Sequence, residues 1–293
     1  MPSLARQSDM KKNIVSSIEN SVMEIRGVDF TSRPTRQKAI AVARGHLRDG
    51  EFQLVGVDHI ETFEGFEALL LEAGPWIAAF DFPFGLPREF CAEIGWLKPS
   101  TNWLAVTKKL ETISREELSN HCRAYCDVRP TGSKFAHRVV DRLAGSSPSM
   151  RWVNPPVVHM LKEGAPRLLA AGVDIPGQHQ GDESRVALEA YPGFLARSIT
   201  KASYKNDQRV KQTPKLLAAR QQIIETLLSG KYSLAIRLVA TKAMQKALQQ
   251  DASGDTLDAV LCALQAAWAY QRRDQNFGLP ANIDPLEGWI VTV

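Results

Sequence analysis

The chain has 293 residues and a net charge of only +4, and its 44% apolar and 23% charged residues are typical of a globular protein with a sizeable core. No run approaches the roughly 20 apolar residues of a membrane-spanning helix, and the first 20 residues lack the apolar stretch of a signal peptide, so we expect a cytoplasmic protein with no membrane partner. The four cysteines are too few for a disulfide scaffold, and we expect them to be reduced.

Residues 1–20 are interpreted as a loose lead-in, after which the pattern predicts three short strands joined by tight turns. These strands run over 22–30, 39–47 and 52–60. Short connections between them indicate an antiparallel meander. A helix over 64–73 then leads to a continuous apolar run at 76–82, which is typical of a strand buried on both faces. Because the chain returns through a helix, this fourth strand should lie parallel to its neighbour.

The middle of the chain, about 88–184, is irregular and rich in proline, and we interpret it as a mostly helical insertion into a single domain of residues 21–293. Further elements are predicted as helices over 114–126, 137–143, 214–228, 235–249 and 256–272, a fifth strand over 185–190, and a candidate edge strand at 289–293. This order predicts an α/β fold with a mixed five-stranded sheet, three antiparallel strands plus parallel ones, flanked by helices.

Four aspartates lie where these predicted elements begin or end. Asp29 and Asp81 follow the first and fourth strands, and Asp255 and Asp258 share one face of the first turn of the last helix, at the end that favours anions. Each alone could be a capping or turn residue. An aspartate inside an apolar run such as 79–82 is nevertheless costly to bury without a partner. Together the four carboxylates predict a site for a divalent metal ion, because Mg²⁺ and Mn²⁺ prefer carboxylate oxygen.

Two further residues near these elements have alternative interpretations. Glu189 ends the predicted fifth strand, and it is a further ligand, a residue that orients water, or the partner of the basic residues at 197–246 in a salt bridge. Lys205 is either a phosphate contact or an exposed lysine, and the exposed lysine is favoured. Cys122 and Cys126 are four residues apart, but no second ligand pair follows, which favours core cysteines over a zinc site.

Positive charge is concentrated in residues 197–246, which we call the basic segment. It contains eleven Lys and Arg residues against two acids, so it carries +9 while the rest of the chain carries −5. A basic stretch beside acidic catalytic candidates suits a phosphate-rich partner, and we expect it to contact the backbone of nucleic acid. The alternative is a pair of helices with solvated basic faces.

Several short blocks resemble the signature of a known family. They are Gly27-Val28-Asp29-Phe30, Phe80-Asp81-Phe82-Pro83-Phe84-Gly85-Leu86-Pro87, Leu188-Glu189-Ala190-Tyr191-Pro192 and Asp255-Thr256-Leu257-Asp258-Ala259-Val260. They resemble domain-of-unknown-function family 429, described as predicted ribonuclease-H-like nucleases. The block around Asp81 is the most specific, and the match in block order covers about 22–272 with a weaker middle.

The resemblance implies the fold of ribonuclease H and the Holliday-junction resolvases. In those enzymes, acids on the first strand, the fourth strand and the last helix bind the metals. By this resemblance Asp29 takes the first-strand role, Asp81 the fourth-strand role, and Asp258 with Asp255 the helix role. Glu189 has no firm counterpart in that scheme.

The sequence and the resemblance together predict Mg²⁺- or Mn²⁺-dependent hydrolysis of phosphodiester bonds in nucleic acid. Asp29, Asp81 and Asp258 would bind the metal, and Asp255 would support them. Two alternatives stay open. One is a phosphotransferase like actin and the sugar kinases, although no glycine-rich loop follows the first strand. The other is a non-catalytic nucleic-acid or protein-binding module with a decayed site.

Overall fold

The computed structural model describes residues 23–293, apart from the side chain of Arg209, so the predicted lead-in at 1–20 lies outside the described residues. Its strands are β1 (Glu24–Asp29), β2 (Ile40–Arg48), β3 (Glu51–Ile60), β4 (Trp76–Phe80), β5 (Val173–Asp174), β6 (Asp182–Glu189) and β7 (Arg237–Val239). They form one sheet in the order β5-β6-β4-β1-β2-β3-β7. β2 pairs antiparallel with β1 and β3, and the other pairs are parallel.

The α-helices of the described part are α1 (Phe63–Leu70), α2 (Arg88–Glu93), α3 (Trp103–Thr112), α4 (Arg115–Asp127), α5 (Val139–Ala144), α6 (Val157–Ala171), α7 (Pro192–Ile199), α8 (Pro214–Ser229), α9 (Lys242–Gln250) and α10 (Asp255–Tyr270). Five of them, α2 to α6, lie in the region predicted as a mostly helical insertion. Over residues 23–293, no helix has both the length and the apolar character needed to cross a bilayer.

The predicted meander and the parallel return of β4 are confirmed, but the predicted number of strands is wrong. The sheet has seven strands rather than five, because short strands β5 and β7 extend its two edges. β7 occupies the start of the helix predicted over 235–249, and it pairs with β3 before α9 begins. The predicted edge strand at 289–293 forms only one isolated bridge, between Ile290 and Glu189.

The sheet is covered on both faces, as the continuous apolar run of β4 indicated. On this strand Trp76 and Phe80 pack into the core layer that α1, α3, α4 and α6 cover, whereas Ile77 packs with α7 to α10 on the other face. Helix α6 was not predicted, because Pro166 lies inside it and removes one backbone hydrogen-bond donor. Its buried apolar face offsets that cost by packing against the sheet layer.

Gly27 on β1 lets α10 approach the sheet closely enough to position its first turn. A Cβ at this position would lie 2.0 Å from the carbonyl oxygen of Ala259 and 2.0 Å from the backbone nitrogen of Ala263. We expect Gly27→Ala to displace α10 and to lower the free energy of unfolding by about 3 kcal/mol. Gly56→Ala on β3 is the matched control, because its Cβ would meet nothing within 4 Å. Equal urea midpoints for the two variants would contradict this close approach.

Candidate carboxylate site

Asp29 and Asp81 come from the ends of two adjacent parallel strands. Asp29 is the last residue of β1 and is 8% exposed. Asp81 directly follows β4, and its backbone N–H donates to the carbonyl oxygen of Val28 at 2.8 Å, which continues the pairing of the two strands. Phe82 then turns into the aromatic layer against Phe30, with ring centroids 4.7 Å apart. The Asp81 side chain is therefore left at the carboxyl end of β4, between Phe80 and Phe82, which are both packed in the core.

Asp258 reaches the same place from the first turn of α10. The loop before this helix is organised by Asp251, whose carboxylate accepts hydrogen bonds from the backbone N–H groups of Thr256 at 2.8 Å and Gly254 at 3.2 Å. Gly254 has a φ of 80°, a left-handed conformation that glycine adopts at no steric cost. Asp258 itself is fully buried at 0% exposure. The start of the helix thus aims a carboxylate at the ends of β1 and β4.

The three carboxylates converge on one point. Asp29, Asp81 and Asp258 each offer an oxygen, and these oxygens all lie within 4.8 Å of one another. Burial, followed by repulsion from Asp258, raises the pKa of Asp29 well above its ordinary value and that of Asp81 to about 7. Burial also raises the pKa of Asp258. Three acids that resist ionisation together form a site that a positive charge would stabilise.

Lys205 and Tyr204 supply part of that stabilisation to Asp258. The Tyr204 hydroxyl donates to Asp258 at 2.5 Å, and the Lys205 ammonium group forms an ion pair with the second oxygen of the same carboxylate. Burial alone would lower the pKa of Lys205, but Asp258, Tyr204 and Asp29 together outweigh burial and raise that pKa well above its ordinary value. The ammonium stands in for a bound cation beside Asp258. Lys205 is exposed, as the sequence favoured, but its ammonium group is paired with the site.

Asp255 lies beside this cluster and has a partner of its own. Both of its carboxylate oxygens accept hydrogen bonds from the Lys38 ammonium, at 2.7 and 2.9 Å, and Lys38 also contacts Asp207 at 3.2 Å. Repulsion from Asp255 still contributes to the raised pKa values of Asp29 and Asp81. Asp255 thus adds negative potential to the cluster, although both of its oxygens are hydrogen-bonded to Lys38.

Glu189 lies at the end of β6 and belongs to a buried ion-pair network. Arg138 donates to its two carboxylate oxygens at 2.6 and 2.7 Å, and also to Asp141 at 2.7 Å. The backbone N–H of Phe84 donates to the same glutamate at 2.9 Å. The salt-bridge interpretation of Glu189 therefore fits, but the partner precedes α5 and does not come from the basic segment. Glu189 borders the cluster and helps to raise the pKa of Asp81.

A cleft of about 850 Å³ opens over the aspartates. Arg197, Lys201 and Lys205 line it from the first part of the basic segment. The later part of that segment turns elsewhere, since Arg237 on β7 forms an ion pair with Glu51 at 2.5 Å on the neighbouring strand. Among the described side chains of the basic segment, only those at its start are thus placed beside the carboxylates.

Sequence reasoning missed the partners of the acids. Nothing in the spacing links Lys38 to Asp255, because the two are 217 residues apart. The sequence around Arg138 does not indicate its role as the partner of Glu189 either. A buried glutamate at a strand end does require a basic partner, but its position in the chain is not specified. Tyr204 directly precedes Lys205, and a tyrosine hydroxyl is a suitable hydrogen-bond donor to a buried carboxylate such as Asp258. Cys122 and Cys126 are buried in the core layer, and all four cysteines are free thiols.

The donor set suits a divalent cation of the hard, oxygen-preferring kind. Three carboxylate oxygens converge, two of the three aspartates are almost fully buried, and one ammonium group already neutralises part of their charge. The molecule is thus a mixed α/β protein with a buried carboxylate triad that could hold a metal ion.

The family model described as "Protein of unknown function (DUF429)" matches residues 27–283, and the chain belongs to that family. The family named by the sequence resemblance is therefore confirmed. No curated protein and no solved structure matches the chain.

Proposed function

We propose that this protein is a metal-dependent hydrolase of phosphodiester bonds in nucleic acid, built on a ribonuclease-H-like fold. The observation that carries the proposal is the convergence of Asp29, Asp81 and Asp258 within 4.8 Å. They come from the first strand, the end of the fourth strand and the helix α10, which are the positions that the family resemblance implies for the metal-binding acids. The strand order β3-β2-β1-β4-β6 supports the same fold.

Asp29, Asp81 and Asp258 would hold Mg²⁺ or Mn²⁺, with Asp255 adding negative charge from the same helix turn. Divalent ions bound by carboxylates can activate water and stabilise the leaving oxygen of a phosphodiester. Burial of the three acids favours this use, because repulsion between them is relieved only when a cation or a proton is taken up. The cluster is therefore poised to bind a cation from solution.

The cleft residues would hold the substrate. Lys201 and Arg197 line the wall beside the triad and would contact phosphate oxygens without reading bases. Lys205, released from Asp258 when a metal ion takes over its charge, would be free to face the same phosphate. Such contacts depend on counterion release, so binding should weaken steeply as salt rises.

The test is cleavage of labelled DNA and RNA, single- and double-stranded, with Mn²⁺, with Mg²⁺ and with EDTA. We expect cleavage with either metal and none with EDTA. Crystals soaked in Mn²⁺ should show anomalous density between Asp29, Asp81 and Asp258. ATP turnover without nucleic acid would favour the phosphotransferase alternative, and binding without cleavage would favour the non-catalytic module. Absence of both density and cleavage would refute the hydrolase proposal.

A further inference from the structure

A second cavity, of about 680 Å³, adjoins the carboxylate cleft and is not used by the proposed chemistry. It lies between the loop after β1 and the start of α4. Three basic side chains line it, namely Arg33, Lys38 and Arg115, together with Ser119, His159 and Trp152. Thr31, Ser32 and Lys38 line both cavities, so the two are continuous along this loop.

Arg115 is held rigidly at the base of the second cavity. Its guanidinium donates to the carbonyl oxygen of Ser32 at 3.0 Å and to the Ser32 hydroxyl at 3.2 Å. It also pairs with Glu163 at 3.2 Å, but that carboxylate is shared with Arg167 at 3.0 Å. The positive charge of Arg115 is therefore fixed in place and only partly neutralised.

Arg33 adds a second guanidinium beside the first. It is exposed, and among residues 23–293 it has no carboxylate partner within ion-pair distance, in contrast to Arg115. Burial, together with the charges of Arg115 and Arg33, lowers the pKa of His159 to about 4, so this imidazole is neutral at pH 7. One exposed acid, Glu116, lies on the rim and opposes the basic groups. Because Lys38 is paired with Asp255 and Asp207, the positive potential inside the cavity comes mainly from the two arginines.

The short distance between Arg33 and the triad indicates which kind of anion the second cavity would bind. Arg33 follows Asp29 by four positions, which limits the distance between the two Cα atoms to about 14 Å. A nucleic-acid strand with one phosphate at the aspartates would pass over Ser32 toward Arg33. Guanidinium groups match the paired oxygens of a phosphate better than ammonium groups do.

We propose that this cavity binds a second phosphate group of the same nucleic-acid strand, a few nucleotides from the one held at the carboxylate triad. The proposal rests on the proposed function, because it takes the substrate to be a polymer of phosphodiesters. Half-buried Trp152 borders the cavity and offers a surface on which an unpaired base can stack.

The test compares Arg33→Gln with Arg36→Gln, a matched control on the same loop whose exposed arginine lines neither cavity. Binding of a short fluorescent single-stranded oligonucleotide is measured by anisotropy in EDTA, over about 50 to 200 mM salt. We expect Arg33→Gln to weaken binding about tenfold and to reduce the salt slope by about 0.7. Arg36→Gln should leave both unchanged, and Glu116→Gln should tighten binding.

Equal behaviour of Arg33→Gln and Arg36→Gln would overturn the proposal. Titration with inorganic phosphate separates a strand from a free anion. If Arg33→Gln abolished phosphate binding but left oligonucleotide affinity unchanged, the cavity would serve a free anion and the proposal would also be overturned. The loss of affinity expected for Arg33→Gln is measured without hydrolysis. If that loss is observed but the protein never cleaves nucleic acid, the hydrolase proposal is refuted and the phosphate-site proposal is retained.

Discussion

Asp81→Asn should lower metal-dependent cleavage by more than about 100-fold, the upper end of the cost of losing a residue that merely orients a metal ligand. Asn retains the size of the side chain but offers one neutral oxygen in place of a carboxylate. Asp127→Asn, at an exposed position at the end of α4, is the matched control and should keep full activity. Cleavage by Asp81→Asn at the rate of the unmodified protein would remove Asp81 from the mechanism.

The same substitution should stabilise the metal-free protein at neutral and alkaline pH. Burial and then Asp258 raise the pKa of Asp81 from 3.8 to about 7, so the folded protein binds this proton more tightly than the unfolded chain. The contribution of Asp81 to stability therefore falls as pH rises from 3.8 to about 7. At pH 8 Asp81→Asn should be more stable by up to about 4 kcal/mol, and the gain should vanish below about pH 4.

Urea unfolding at both pH values, with and without Mn²⁺, measures this effect without reference to activity. Mn²⁺ should raise the midpoint of the unmodified protein, because a ligand that binds only the folded state stabilises it. Asp81→Asn should gain little from Mn²⁺. A variant that is less stable than the unmodified protein at pH 8 would contradict the raised pKa of Asp81.

Arg138→Met should cause the largest loss of stability, about 3 to 5 kcal/mol, because it leaves Glu189 and Asp141 buried without their shared cation. Arg138 is 1% exposed, and its guanidinium also donates to the carbonyl oxygen of Glu287 at 2.8 Å. Its removal takes away the partners of three acceptors at once. Urea unfolding at pH 7 measures the change.

Arg142→Met, at an exposed position in the helix α5 that Arg138 directly precedes, is the matched control and should change the free energy of unfolding little. The double substitution of Arg138→Met with Glu189→Gln should lose less than the two single losses combined, because the second change removes one of the orphaned charges. If Arg138→Met were no more harmful than Arg142→Met, the buried network would contribute nothing measurable.

The candidate site was largely predictable from the sequence because its acids lie at recognisable ends of elements. Asp29 and Asp81 follow apolar strands, and Asp258 lies one turn into an apolar helix, so the geometry of parallel strands brings the first two together. Lys38 and Arg138 were not predictable, since their partners are distant in the chain. Charged pairs of this kind leave no periodic signal.

The amino-acid sequence by itself determined the meander, the buried fourth strand and the placement of aspartates at strand and helix ends, because these follow from local hydrophobic period and turn chemistry. Tertiary structure alone decided that β7 becomes an edge strand and that α6 continues through Pro166. It also decided that, among the described basic side chains of 197–246, those at the start face the triad. The physical reason is that short strands, interrupted helices and ion pairs gain their stability from distant packing partners, which local propensity does not encode.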